Sequence, residues 1–209
     1  MNPEVRADLP LVLAITGASG AVYARRLLEV LVGLGRDIHL VISPSGAAVI
    51  QQELGLKLRL DQFDPQSLLP EGDAAELAKS RVRYWRHDDF FAPLASGSFL
   101  TGGMVVCPCS GSTLSGIAVG ASNNLIQRAA DVHLKERRKL ILVPRETPLS
   151  VIQLENMRRA AEAGAVILPA MPGWYHGVKS VQDLIDFVVA RILDQLSIPH
   201  SLMKRWGDS

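Results

Sequence analysis

A doubly wound α/β sheet is the architecture expected of this sequence, on three observations. Short, nearly continuous apolar runs recur along the chain, as strands covered on both faces require. Amphipathic stretches long enough to be helices separate them. Each run gives way to a segment rich in Gly, Ser, Thr or Pro, the composition of a tight turn into a helix.

The first run, "LVLAIT" (11–16), is followed by a glycine turn and a helical stretch over 20–34. The second, "DIHLVIS" (37–43), leads into a helix over 45–55. Residues 56–100 contain Pro65, Pro70, Gly72, Pro93 and Gly97, break the alternation, and read as a mix of short helix and long loop. "GMVVCP" (103–108) precedes a long helical stretch over 111–135. "KLILVP" (139–144) precedes a helix over 149–163, with Thr147 as its cap and Pro148 at its first position. "AVILPA" (165–170) and a helix over 180–196 complete the pattern. Ligands of such sheets gather beyond the carboxyl ends of the strands. Those ends read "TGASGA", "SPSGAA", "CPCSGST", "PRETPLS" and "PAMPGWYHG", and several open a helix whose free amides and dipole attract an anion.

A length of 209 residues suits one domain, 1–209, and 48% hydrophobic with 21% charged residues is a globular composition. A net charge of +1 gives neither a nucleic-acid footprint nor a membrane-binding patch, so a small-molecule partner is expected. The first apolar run is too short to span a bilayer and lacks the pattern of a signal peptide; with no apolar segment of 18 residues elsewhere, a cytoplasmic protein is expected. Aromatic residues are only 5% of the chain, so the core must be aliphatic.

Both cysteines, Cys107 and Cys109, lie in "VVCPCSGSTLSG". Zinc needs about four ligands, and the five histidines (His39, His87, His133, His176, His200) are scattered, so no metal is expected. A disulfide across one residue would be strained, and a reducing compartment disfavours it. Cys107 closes a strand and reads as a small core residue. Cys109, at a helix start, has the position of a reactive thiol but no evident base. Ser110, Ser112 and Thr113 can cap the following helix or bind a phosphate.

The turn "ITGASGA" is spaced G-x-x-G rather than G-x-G-x-x-G, and Ser43-Pro44-Ser45 stands where an NAD site wants an acidic residue. A mononucleotide with one phosphate fits better than a dinucleotide. Arg128, Asp131 and Lys135 share a helix face, as either a solvated ion-pair stripe or a functional group. Arg145 and Glu146 stand at a strand end. Arg191 falls on the flank of an apolar stripe, beside Leu184, Phe187 and Val188, with Asp194 as an available partner at i+3.

"TGASGA", "CPCSGSTLSGIAVGASNNLIQRAADVHLKERRKLILVPRETPLS", "LENM" and "GAVILPAMPGWYHG" together resemble the UbiX-type flavin prenyltransferases over nearly the whole chain, least in 56–86. The resemblance implies a flavodoxin-like fold, a homododecamer, and transfer of a dimethylallyl group from dimethylallyl phosphate to N5 and C6 of reduced FMN. The product, prenylated FMN, would serve a UbiD-type decarboxylase. It implies FMN-binding roles for Gly17, Ala18, Ser19, Ser43, Ser110, Gly111, Ser112, Thr113, Arg128 and Arg145, with the flavin phosphate on the Ser19 and Ser110 turns. It implies that Ser96, Lys135, Arg145, Tyr175 and Arg191 hold the dimethylallyl phosphate, and that Ser19, Glu53, Glu146 and Lys135 take part in catalysis. Phe90 stands where some members have Trp, and Trp174 and Gln153 stand where Phe and His are common. Asp88-Asp89 falls short of the Asp-rich clusters of metal-dependent prenyl transferases, which fits a metal-free donor site. Two rivals are a flavin-dependent cysteine decarboxylase and a non-catalytic flavin carrier. The first typically carries P-A-S-A-N and P-x-M-N-x-x-M-W, where this chain has "GASNN" and "PAMPGWYHG"; the second would need no charged cage for a second phosphate.

Overall fold

The computed structural model describes residues 9–205 and 207, so the ends of the expected 1–209 domain lie outside the described residues. Six strands, β1 (Leu11–Ile15), β2 (Ile38–Ile42), β3 (Val82–Trp85), β4 (Gly103–Cys109), β5 (Leu140–Pro144) and β6 (Val166–Ile167), form one parallel sheet in the order β3-β2-β1-β4-β5-β6. With β3 set aside, the five strands expected from sequence run in the flavodoxin-like order 2-1-3-4-5. The order reverses between β1 and β4, so the loops leaving those two strands diverge and open a crevice.

Every residue of β1, β4 and β5 is buried, which is why their sequences carry no polar alternation. Helices α1 (Ala21–Gly33) and α7 (Val181–Gln195) cover one face; their Leu27, Leu28, Leu31, Val188 and Ile192 join a core cluster with Leu13, Ile15 and Leu40. Helix α2 (Pro44–Leu54) also packs against α1. Helices α4 (Gly111–Ala118), α5 (Leu125–Lys135) and α6 (Val151–Glu162) cover the other face, where Leu114, Ile126, Ala129 and Ala160 join Val12, Ala14, Val106 and Leu142. Both layers are aliphatic. Each buried Leu or Ile contributes about 1.5–3 kcal/mol, which suffices without aromatic cores.

Four expectations need correction. The span 56–100 contains helix α3 (Asp73–Arg81) and the sixth strand, β3. As an edge strand β3 carries charge on its open side, in Arg83, and that masked its apolar pattern. The stretch 111–135 is two helices: Gly120 and Ser122 adopt left-handed conformations (φ 66° and 50°), and Asn124 restarts the chain by accepting from the Gln127 amide. The run 165–170 shortens to the two residues of β6, although the Leu168 and Ala170 amides beyond it still donate to the Leu142 and Pro144 carbonyls at 2.8 and 3.0 Å. Thr147 is not the cap of α6. Ser150 is, in a reciprocal pair with Gln153, while the Thr147 hydroxyl donates to the Glu146 carbonyl at 2.8 Å.

Candidate active site

The crevice is stitched shut at its base by one residue. The buried Thr16 hydroxyl donates to the Pro108 carbonyl at 2.7 Å and accepts from the Ser110 amide at 2.8 Å, tying the β1 loop to the β4 loop. Sequence reasoning passed over Thr16; its one signal was a hydroxyl ending an otherwise apolar run. Above it, Gly17 lies so close to the β2 loop that a Cβ there would stand 2.6 Å from the Ser45 Cβ. Ser43 caps α2, accepting from the Gly46 amide at 3.0 Å, and its Oγ lies 3.1 Å from the Ser45 hydroxyl. Ser110 caps α4 by accepting from the Thr113 amide, with the Ser112 and Thr113 hydroxyls 3.2 and 3.0 Å from its Oγ. Two helix starts dressed with hydroxyls therefore face the crevice, a donor set suited to one phosphate.

The start of α1 is different. Gly20 turns at φ 116°, and a Cβ there would meet the Tyr23 ring at 3.0 Å. The Glu53 carboxylate, from the last turn of α2, accepts from the Gly20 amide at 3.2 and 3.0 Å and from the Ala21 amide at 2.8 Å. Partial burial alone would raise the Glu53 carboxyl. The Ser19 hydroxyl, the two amides and the nearby Arg145 outweigh burial and hold it below its ordinary value. At the Ser19 turn, then, the Gly20 and Ala21 amides serve a carboxylate of the chain itself.

Arg145, leaving β5, reaches across to the β1 loop and donates from Nε to the Ser19 carbonyl at 3.3 Å. Glu146 accepts from Gln153 Nε2 at 3.4 Å, so the residue that departs from the family's usual His is the one that steadies this carboxylate. An apolar recess lined by Leu149, Met157, Pro169 and Met171 opens beside Arg145 and Glu146. Thus Gly17, Ala18, Ser19, Ser43, Glu53, Ser110, Gly111, Ser112, Thr113, Arg145 and Glu146 all stand on the loops and helix ends that surround one crevice, in a single chain.

Neither cysteine takes part in this array. Both thiols are free and buried, and burial raises each, Cys109 to about 12. Among the described residues no group of three or more His, Cys, Asp or Glu side chains comes together, and no helix is long and apolar enough to cross a membrane.

The remaining residues form two further groups. Arg128 pairs with Asp131 at 2.8 Å and donates from Nε to the Ala95 carbonyl, next to Ser96. Lys135 does not extend that pair; it ends α5, contacts Glu136, and lies beside Gly97. It precedes β5 whereas Arg145 follows it, so a five-residue strand, roughly 17 Å, separates them. Tyr175 packs edge-on against Phe187 at 5.8 Å, and Arg191 lies one turn further along α7 on the same face. Arg191 is half-exposed and donates to Asp194 at 2.7 Å. Phe187 was placed beside Arg191 by helical spacing alone, but its contact with Tyr175 was not foreseen.

Fold and crevice together define a mononucleotide-binding protein of the flavodoxin-like, doubly wound class. The Flavoprotein family pattern matches residues 2–193. The chain is 52% identical over 198 residues to the flavin prenyltransferase UbiX of Pseudomonas aeruginosa, covering 95% of this chain and 94% of that one. It is 46% identical to the UbiX of Methanocaldococcus jannaschii, covering 95% and 99%. AnUbiX (PadA1), solved with FMN and dimethylallyl pyrophosphate, superposes with a TM-score of 0.82 at 38% identity, covering 96% of this chain and 98% of that one. The dodecameric FMN-dependent UbiX-like decarboxylase of Escherichia coli O157:H7 gives 0.81 at 38%, covering 96% and 100%. The chain belongs to the flavoprotein family and, within it, to the UbiX flavin prenyltransferases. The peptidyl-cysteine decarboxylase EpiD, at 14% identity and a TM-score of 0.55, covering 90% of this chain and 98% of that one, shares the fold alone.

Proposed function

We infer that the chain transfers a dimethylallyl group from dimethylallyl phosphate to N5 and C6 of reduced FMN, without a metal, as a homododecamer whose product is taken up by a UbiD-type decarboxylase. The observation that carries this is the array of Arg145, Ser19, Glu53 and Glu146 above a crevice whose open helix starts suit one phosphate. A simple carrier needs no such charges beside its flavin. Two buried free thiols agree with a reducing, cytoplasmic setting.

When bound, reduced FMN supplies the nucleophilic nitrogen and the ring carbon that closes the second bond. The chain's own residues do the rest. Ser43 or the Ser110–Thr113 turn holds the flavin phosphate, and the Gly17 turn lets the ligand approach the backbone. As the allylic C–O bond breaks, negative charge grows on the departing phosphate. Arg145, joined by Lys135, Arg191, Ser96 and the Tyr175 hydroxyl, stabilises it by preorganised electrostatics. Closing the second bond adds a proton to the prenyl alkene and removes one from C6, and Glu146, steadied by Gln153, would carry that proton between them. Glu53 fixes the Ser19 hydroxyl and, through it, the floor of the site. Lys135 stands at the opposite end of β5 from Arg145 in one chain, so the donor cage is completed between copies, with Arg128 supporting the α5 edge.

The test is anaerobic. Protein, reduced FMN and dimethylallyl phosphate are mixed after exhaustive chelation, and the released flavin is weighed by mass spectrometry. A flavin heavier by one five-carbon prenyl unit is expected. An unmodified flavin, with carbon dioxide released from a cysteine-thiol substrate instead, would assign the site to the decarboxylase chemistry.

A further inference from the structure

Near the end of α7, outside the array described above, the Asp194 carboxylate meets three side chains, one on its own helix and two in the tail beyond it. Its side chain is 15% exposed. Oδ2 accepts from Arg191 Nη1 at 2.7 Å. Oδ1 accepts from Arg205 Nη2 at 2.8 Å and lies 3.2 Å from His200 Nε2, both in the tail beyond the helix. The two oxygens are divided: one fastens the tail, the other fastens Arg191. His200, only 2% exposed, and Arg205 thus lock the carboxylate whose second oxygen faces the arginine.

Arg191 is held differently from a bidentate pair. One of its three nitrogens is engaged by Asp194, its side chain is 44% exposed, and a guanidinium has five N–H donors. The anchor therefore fixes the direction of the group and leaves most of its donors turned outward. Phe187, one turn earlier on the same face, carries Tyr175 edge-on, so the outward donors and the tyrosine ring share one face of α7.

We propose that Asp194 is a positioning residue that holds the Arg191 guanidinium ready for the phosphate of the prenyl donor, with the tail fixing Asp194 in turn. This rests on the reading that Arg191 grips that phosphate. An arginine free to rotate on a helix surface must be immobilised when the donor binds, whereas an anchored one has already met that cost. The carboxylate also opposes binding, because it competes with phosphate for the same cation. The two effects have opposite signs, and removing the charge decides between them.

The experiment measures steady-state prenylation by the full-length protein with dimethylallyl phosphate varied at saturating reduced FMN. Asp194→Asn is expected to raise KM for the donor about tenfold, the immobilisation cost of one long side chain, with FMN affinity unchanged. The double variant Asp194→Asn, Arg191→Leu should be no worse than Arg191→Leu alone, because both act through one guanidinium. Arg205→Gln, which loosens the tail and leaves the Arg191 anchor, should stay within about twofold of wild type. An unchanged or lower KM in Asp194→Asn, beside a raised KM in Arg191→Leu, would overturn the positioning role. Equal losses in Arg205→Gln and Asp194→Asn would overturn it too, as a general effect of the tail. Wild-type KM in both Asp194→Asn and Arg191→Leu would remove Arg191 itself from the donor site. If Asp194→Asn does not fold, Asp194→Glu keeps the charge but moves the anchor by one methylene. It should raise KM severalfold, and a wild-type value there would sink the proposal.

Discussion

The two ends of β5 carry cations in contrasting settings. Beyond its carboxyl end, Arg145 reaches the Ser19 carbonyl, Ser19 and two amides hold Glu53, and Gln153 holds Glu146, all from separate loops of one chain. At its amino end, Lys135, Arg137, Arg138 and Lys139 line a wide cleft with Glu162 as the acidic residue on its wall. Arg138 is used up on the Gly97 and Phe99 carbonyls, while Lys135 meets only its neighbour Glu136. The first end is cross-linked and preorganised. The second presents charge outward, as a surface does when its ligand or its partner lies elsewhere. If the donor cage proposed above draws on both ends of the strand, assembly rather than folding finishes it.

The largest effect should come from the cross-linked end. Arg145→Met is expected to lower prenylation turnover about 10²–10³-fold, the scale of a lost preorganised donor, in anaerobic assays read by mass spectrometry. A loss below tenfold would mean that the crevice is not where charge develops. Next, Lys135→Ala should cost roughly 10–100-fold on the same reasoning, and co-assembly with Arg145→Met should restore part of the activity. Two defects lying at different sites of a mixed oligomer leave some sites intact. Mixed oligomers as inactive as their parents would show that both cations act from one chain, against the separation of the two ends.

A smaller effect concerns Glu53. Its folded carboxyl is held below the ordinary 4.5. Its contribution to stability is therefore complete above that ordinary value and is lost as pH falls through the lower folded value. Glu53→Gln should destabilise by about 0.3–1 kcal/mol near pH 7, as for a carboxylate at a helix start. The gap should close in acid, below about pH 4. Chemical denaturation from pH 3 to 7 checks it, and a gap that widened in acid would refute the assignment. On turnover the smallest effect of all is expected of Cys109→Ala, which should leave it unchanged while costing about 1 kcal/mol of stability. The wild-type thiols, buried and raised, should resist alkylation in the native protein. Rapid labelling with loss of activity would bring Cys109 back to the crevice.

The sheet could be read from the chain because its central strands are buried on both faces and show it as unbroken apolar runs. β3 could not, since an edge strand hides its pattern under charge, nor could the break after α4, which depends on left-handed turns at Gly120 and Ser122. The residues around the crevice were predictable for a topological reason: they lie in the turns that follow strands, and a parallel sheet brings those turns to one side. Tyr175, Lys135 and Arg191 were readable as residue types but not as a group, because they lie on a loop and on two helices that no local pattern relates. Glu53 is the intermediate case. The resemblance pointed to a part in catalysis, while its seat on the Gly20 and Ala21 amides is set by how α2 crosses α1, which no local pattern encodes.

That seat makes the crevice choosy before any ligand arrives. Dinucleotide-binding relatives of this architecture lay a pyrophosphate on the amides that follow the first strand. Here those amides are already spoken for, and the occupant is negative. A pyrophosphate oxygen about 4 Å from the Glu53 carboxylate would meet a repulsion of about 4 kcal/mol at the effective dielectric of a protein surface, a penalty of roughly a thousandfold in affinity. FMN, whose single phosphate can settle at the β2 or β4 turn, escapes that toll. A dinucleotide laid on these amides is therefore expected to bind far more weakly than FMN, because a carboxylate already stands where its pyrophosphate would lie.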